Sequence, residues 1–311
     1  MATHQKTVGP VIAELPGLRS EKPVRLGIIA DPHLTTRETG TWKVFHRTAA
    51  RLRTALGDAT AIECDLITFA GDLTRDGLSS EFTAFDTILA EFDVPHVAIP
   101  GNHDVSKAWE SHDGIGLTSF EHRYTPGLPF AIELGSITVL GLNTASTVDG
   151  TLRETWGGRV SAADKTWLAD RLETTQAPIV VLHHNLAALP ENPGGKWRNF
   201  PLQNDRTIRQ LLADKEVPLA VTAHHHVPSV RDHVLTTEVM APAVSSYPQA
   251  WLVIDIAPSG GRVQLRPLAD RQGMLEARQL ARTGKPIGRG VLKLVDNRLG
   301  SLTDQIPKRS E

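Results

Sequence analysis

Five apolar segments of this chain stop abruptly at residue types that bind metals. Val24–Ala30 runs into Asp31-Pro32-His33, and Asp65–Ala70 runs into Gly71-Asp72. The short run from His96 ends at Pro100-Gly101 and delivers Asn102-His103-Asp104. Pro178–Leu182 leads to His183-His184, and Pro218–Thr222 to Ala223-His224-His225-His226. Each segment has the length and β-branched content of a buried strand. In sheets built from crossover units, ligands gather outside the carboxyl ends of the strands. Five such ends would therefore bring these side chains into one crevice. Two carboxylates and several imidazoles buried together without a cation carry a heavy desolvation cost, which a divalent metal removes. If the segments stay extended, residues i and i+2 face the same side, so Asp31 acts with His33 and His224 with His226.

The segments between these strands read as helices. Thr41–Ala55 carries Trp42, Phe45, Ala49 and Leu52 near helical spacing, and Ser79–Phe92 opens with Ser-Ser-Glu before a Phe-rich face. Strand and helix alternate here, which predicts crossover units and a mainly parallel sheet. Further on, Phe130–Leu134 and Ile137–Leu142 flank Gly135-Ser136 as a hairpin. Ser161 opens a capped helix through Leu172, and Asn204–Leu212 reads as another. Trp251–Ile256 and Arg262–Leu268 form a second hairpin. Two long loops, Asn143–Arg159 and Asn185–Gln203, have the size of functional loops. The expected organisation is an irregular lead-in over residues 1–23, a catalytic domain over 24–268 and a peripheral C-terminal extension over 269–311.

Composition bounds the function. A formal net charge of −2 over 311 residues argues against a nucleic-acid polymer as partner, since phosphate-tracking proteins are distinctly basic. The single cysteine, Cys64, excludes an intrachain disulfide and fits a reducing compartment. No apolar run approaches the ~18 residues of a membrane span, and Met1–Lys22 lacks the apolar stretch of a secretory signal. These features predict a cytoplasmic protein without a membrane partner.

Taken in order, Asp31-x-His33, Gly71-Asp72, Gly101-Asn102-His103-Asp104, Val180-x-x-His183 and His224-x-His226 resemble the five motifs of the calcineurin-like metallophosphoesterases. The likeness covers roughly residues 24–256. Asn143–Leu172, a Thr/Gly loop leading to a helix with Trp167-Leu168, is similar to the branch of class III cyclic nucleotide phosphodiesterases and glycerophosphodiester-hydrolysing enzymes. The resemblance implies an α/β fold, a four-layer α/β/β/α sandwich with two mixed β-sheets flanked by helices. It also implies a centre of two divalent or trivalent metal ions, Mn, Fe or Zn, which O/N ligands of this kind do not distinguish. Asp31, His33 and His226 would hold one ion and Asn102, His183 and His224 the other, with Asp72 bridging. A metal-bound hydroxide would attack phosphorus. His103 would contact a phosphate oxygen or protonate the leaving alkoxide.

The activity so implied is hydrolysis of a small phosphodiester such as a cyclic nucleotide. The alternatives are a phosphomonoesterase or broad-specificity phosphatase with the same centre, a nuclease, or a non-catalytic scaffold of the same fold. A homodimer is compatible with all of them. Three departures stand out: Ala223 replaces the usual Gly, Asn185-Leu186 replaces Pro-Pro, and Pro32 stands inside the first motif, where it fixes φ but leaves both ligand side chains free. Arg75 stands where purple acid phosphatases carry a metal-binding Tyr, which argues against that branch. Asp104, Arg75 and His225 are expected behind the ligands or against substrate. His184 and His225 are expected to point away from their ligand neighbours. Trp42 reads as core, whereas Trp156 and Trp197 are candidates for a substrate pocket.

Overall fold

The computed structural model describes residues 9–37, 39–105, 114–145, 157–189, 197 and 200–299. Two six-stranded sheets lie face to face. The first contains β1 (Val11–Leu15), β2 (Val24–Ile29), β3 (Leu66–Phe69), β4 (His96–Ala98), β11 (Ala250–Ala257) and β12 (Gly260–Pro267). Its order is β1-β12-β11-β2-β3-β4, with β2, β3 and β4 parallel and the rest antiparallel. The second contains β5 (Phe130–Leu134), β6 (Ile137–Gly141), β7 (Ala177–Val181), β8 (Leu219–Thr222), β9 (Ser229–His233) and β10 (Thr236–Met240). Its order is β5-β6-β7-β8-β10-β9, parallel from β6 through β10 with antiparallel edges.

Alternation along the strands sorts the apolar residues into layers, because successive side chains leave opposite faces of a sheet. Leu26 and Ile28 of β2 meet Ile179 and Val181 of β7 and Leu219 and Val221 of β8 in the core between the sheets. Ile29, Ile67 and Phe69 face outward, onto helices α1 (Phe45–Ala61) and α2 (Ser79–Leu89), where they join Leu52, Leu56, Phe82 and Phe85. Helix α3 (Leu117–Tyr124) adds Phe120 and Tyr124 to that layer. On the far side, Val180 and Ala220 pack with Leu168 of α4 (Ala162–Leu172) and Ile208 of α5 (Asp205–Asp214). The result is the four-layer α/β/β/α sandwich that the resemblance implied. Each layer excludes water by the same period-two pattern that made the strands legible.

Four features differ from the sequence reading. The lead-in is not wholly irregular: Val11–Leu15 forms β1 and pairs with β12. A strand propensity that weak is realised only because β12 offers an open edge. The helix expected from Thr41 starts at Phe45 and runs to Ala61. Ahead of it, Lys43 bridges to Ser246, and Val44 N–H donates to Ser245 O at 2.5 Å. The sheets are mixed rather than mainly parallel. The tail forms two helices, α6 (Arg271–Thr283) and α7 (Pro286–Leu299). Their Met274, Ala277, Val291 and Val295 are buried in the same apolar cluster as the inter-sheet residues. Of the two long loops, 146–156 and 190–196 with 198–199 lie outside the described residues, and so do Trp156 and the sequence-level roles given to it.

Candidate metal centre

The ends of β2, β3, β4, β7 and β8 open on one edge of the sandwich, where the five motifs meet. Asp31, His33, Asp72, Asn102, His183, His224 and His226 are all buried there. The pairing of β2 with β3 continues past both strands: Ala70 N–H donates to Ile29 O, Asp31 N–H to Gly71 O, and His33 N–H to Asp72 O. This ladder aligns Asp31, His33 and Asp72 by main-chain bonds before any side chain acts.

The local backbone is not extended as the sequence reading assumed. Asp31, His33, Asp72, His224 and His226 all have left-handed φ, between 45° and 61°. Non-glycine residues pay a steric cost there, and such strain concentrates at functional sites. Asp31 and His33 converge because each is turned at its own Cα, not because of a strand period. Two glycines make the approach possible. Gly71 has φ +90°, and a Cβ there would sit 2.5 Å from His183 Nδ1. A Cβ on Gly101 would sit 2.2 Å from Asp72 Oδ1.

The side chains form two half-sites joined by one carboxylate. In the first, His226 Nε2 lies 3.3 Å from Asp31 Oδ1 and 3.2 Å from His33 Nε2. In the second, His183 Nε2 lies 3.3 Å from Asn102 Oδ1, and the His183 and His224 rings are 5.0 Å apart. Asp72 stands between them, with Oδ2 3.4 Å from His33 Nε2 and Oδ1 3.4 Å from His183 Nε2. Ligand atoms of Asp31, His33 and His226 lie within 4.8 Å of one another, as do those of Asp31, Asp72 and His183.

Partners behind the rings set which nitrogen faces the centre. His183 Nδ1 donates to Ala70 O at 2.7 Å, leaving Nε2 toward Asp72 and Asn102. His226 Nδ1 is 2.8 Å from Ser246 Oγ. Hydrogen bonds of this kind fix the tautomer of a metal-binding imidazole. Burial, followed by nearby positive groups, holds His33 and His224 well below the usual imidazole range. Burial also lowers His226, although Asp31 opposes it. These rings are therefore neutral and carry a lone pair. Burial acts against a charged His183 too, but Asp72 and Asp31 outweigh it and raise the group to about 9. Burial likewise opposes ionisation of Asp72, yet His183, His103 and His33 keep it well below the carboxylate range.

Fit to a cation can be tested on an orphaned atom. Asp31 Oδ1, an acceptor, is buried without a hydrogen-bond partner, a costly arrangement for a polar group. Neutral imidazoles, two carboxylates and an amide oxygen are the donor set that borderline divalent ions accept. The residues present fit such ions.

The neighbours are disposed as follows. His103 N–H donates to Asp72 Oδ1 at 2.8 Å, and its ring Nδ1 is 2.5 Å from Arg75 O. Its ring meets His33 edge-on at 4.6 Å. Asp104 does not line the centre. Its carboxylate accepts from the Gly101, Leu73 and Thr74 amides and from Thr74 Oγ1, tying the β3 and β4 loops together. Arg75 lies over the Phe45 ring at 5.0 Å, with Nε 3.4 Å from Asp76.

His225 points away from the centre as expected, but it is buried rather than solvated. Its Nε2 is 2.8 Å from Leu189 O, and its ring stacks on Trp197 at 4.9 Å and 18°. Phe200 packs on both His224 and His225. His184 does not point away. It is buried with Nδ1 2.7 Å from Thr144 Oγ1, and groups with His183 and His224 at ligand distances. Gly158 leaves the room for it, since a Cβ there would sit 2.2 Å from His184 Nδ1. Lys43 was not anticipated either, although its Nζ reaches within 2.9 Å of His33 Nε2. No spacing signal marks such a residue when the segment reads as helix.

A four-layer sandwich with buried carboxylates and imidazoles at its strand ends presents two adjacent donor sets joined through Asp72. Residues 24–228 match the family model for calcineurin-like phosphoesterases, and the chain belongs to that family. It is accordingly a metal-dependent phosphoester hydrolase. A protein named probable cyclic nucleotide phosphodiesterase from Synechococcus sp. is 24% identical over 221 residues, covering 68% of this chain and 80% of that one. A probable glycerophosphodiester phosphodiesterase GpdQ from Arcobacter nitrofigilis is 30% identical over 156 residues, 48% of this chain and half of the other. Among solved structures, a dimetal phosphatase from Danio rerio superposes with a TM-score of 0.65 at 13% identity, covering 79% of this chain and 96% of that one. A yellow lupin purple acid phosphatase reaches 0.54 at 13% identity over 81% and 52%. At these identities the structures support the fold alone.

Proposed function

We propose that the chain hydrolyses a small phosphodiester, with cyclic nucleotides as the leading substrate class. Asp31, His33 and His226 would hold one metal ion and Asn102, His183 and His224 the other. The observation that carries this reading is Asp72, whose two oxygens face one half-site each at equal distance. A carboxylate so placed suits a bridge between two cations and has little purpose in a single-ion site. Mn, Fe and Zn all suit the donor set. When bound, the ions supply Lewis acidity at phosphorus and a low-pKa water.

The chain's own groups do the rest. With His103 Nδ1 committed to the Arg75 carbonyl, Nε2 is the atom that meets substrate and can pass a proton to the leaving oxygen. Asp104 keeps Asn102 and His103 aimed by bonding the loops on both sides. Phe200 packs on His224 at 4.8 Å and adds an aromatic face beside that half-site. The names of the Synechococcus and Arcobacter relatives favour a diester over a monoester. The single buried Cys64 fits a cytoplasmic setting, and among the described residues no helix is long and apolar enough to cross a membrane.

The test compares Mn2+-reconstituted protein on bis(p-nitrophenyl) phosphate, p-nitrophenyl phosphate and 3′,5′-cyclic AMP. Turnover of the diesters above the monoester supports the reading. Turnover of the monoester alone replaces it with a phosphatase using the same centre.

A further inference from the structure

Lys43 sits in the bridge between β2 and α1, and its backbone is fixed from both sides. Its N–H donates to Thr41 Oγ1 at 3.2 Å, and Thr41 Oγ1 donates to its carbonyl at 3.0 Å. Its strand bridge to Ser246 joins it to the residue whose hydroxyl bonds His226. The side chain passes beside Trp42, whose ring lies 5.4 Å from that of His226. At its end, Nζ is 2.9 Å from His33 Nε2 and 3.4 Å from Nδ1. The ammonium thus reaches the half-site formed by Asp31, His33 and His226, where His33 Nε2 in turn lies 3.7 Å from Asp31 Oδ1.

An ammonium has three donors and no acceptor, so its contact with His33 Nε2 uses that nitrogen's lone pair. One lone pair cannot serve a hydrogen bond and a metal at once. Two cations also repel at this range in a buried site. We propose that Lys43 is a resident counter-cation which occupies the Asp31/His33/His226 half-site in the metal-free protein and must be expelled when that half-site loads. The lysine stem is long and flexible enough to swing out without moving the backbone. Lys43 then stabilises the metal-free fold and weakens metal binding at this half-site, making it the exchangeable position of the pair. The idea rests on the metal-centre reading above.

The test titrates Mn2+ by calorimetry into chelator-stripped wild type, Lys43→Met and Lys43→Arg, and measures thermal melting of each without metal. Lys43→Met should bind one of its two Mn2+ equivalents at least tenfold more tightly than wild type. The same variant should melt a few degrees lower when metal-free. Lys43→Arg, which keeps the charge, should resemble wild type in both. Unchanged or weaker Mn2+ binding by Lys43→Met overturns the inference, and so does an unchanged metal-free melting temperature. If wild type and both variants bind two Mn2+ identically, the inference alone is lost. If wild type binds none, the metal-centre reading falls and takes the inference with it.

Discussion

Replacing Asp104 with alanine removes one carboxylate and strands the amides of Gly101, Leu73 and Thr74 together with the Thr74 hydroxyl. All are buried where the β3 and β4 loops meet. An orphaned buried donor costs about 1–3 kcal/mol. Taking the low end for each, because the loops can relax, the loss is about 4 kcal/mol. That is a large share of the ~5–15 kcal/mol typical of a folded domain. A partial gain opposes it, since burial and the Asp72 charge push the Asp104 carboxyl up to about 7. Asparagine keeps the volume and an acceptor oxygen but turns an amide toward one of the donors, so Asp104→Asn should cost less than Asp104→Ala.

The same shift gives a pH signature. The folded carboxyl holds its proton more tightly than the unfolded one, with its ordinary value near 3.8. Folding therefore favours the protonated form, and this contribution declines as pH rises from about 4 to about 7. Urea unfolding of chelator-stripped wild type, Asp104→Ala and Asp104→Asn at pH 5 and pH 8 measures both effects. A loss below about 1 kcal/mol in the alanine variant would refute the accounting of stranded donors. A wild-type pH slope that persists unchanged in that variant would refute the assignment of the titration to Asp104.

Three further outcomes follow from the site. Asp72→Ala should abolish turnover and reduce bound metal while leaving far-UV circular dichroism close to wild type; retained turnover would remove the bridging role. His103→Ala should keep its metal and lose about 10²–10⁴-fold in kcat, the usual range for a general acid. The loss should be larger for alkoxide than for p-nitrophenolate leaving groups, and equal losses on both would refute proton donation. His225→Ala should destabilise the fold by about 2 kcal/mol or more, through the cavity left against Trp197 and Phe200, with metal content unchanged; a melting temperature within a degree of wild type would contradict its buried role.

The layering and the convergence of the five strand ends were readable in the chain because both depend on local pattern. Strand faces alternate with period two, so Ile28 and Ile29 sort themselves into different layers without further information. Turn formers such as Gly71 and Gly101 mark where those strands stop. What escaped depends on contacts between distant segments. Val11–Leu15 becomes a strand only because β12 presents an edge to it, and α6 with α7 joins the core only because the sheets leave an apolar rim exposed. The left-handed backbone at Asp31, His33, Asp72, His224 and His226 has no sequence signature, since non-glycine residues there are held by the surrounding ladder and not by their own preference. For the same reason the inward turn of His184 and the reach of Lys43 to His33 could not be read from residue types. Both are set by where a neighbouring loop happens to pass.

The central claim is a pair of ions shared through Asp72, and metal stoichiometry tests it most directly. Elemental analysis of the purified chain, coupled to turnover of bis(p-nitrophenyl) phosphate during stepwise metal addition to stripped protein, should give two ions per chain, with activity lost on stripping and regained as the second equivalent binds. Full activity after exhaustive chelation, or saturation of activity by a single ion, would contradict it.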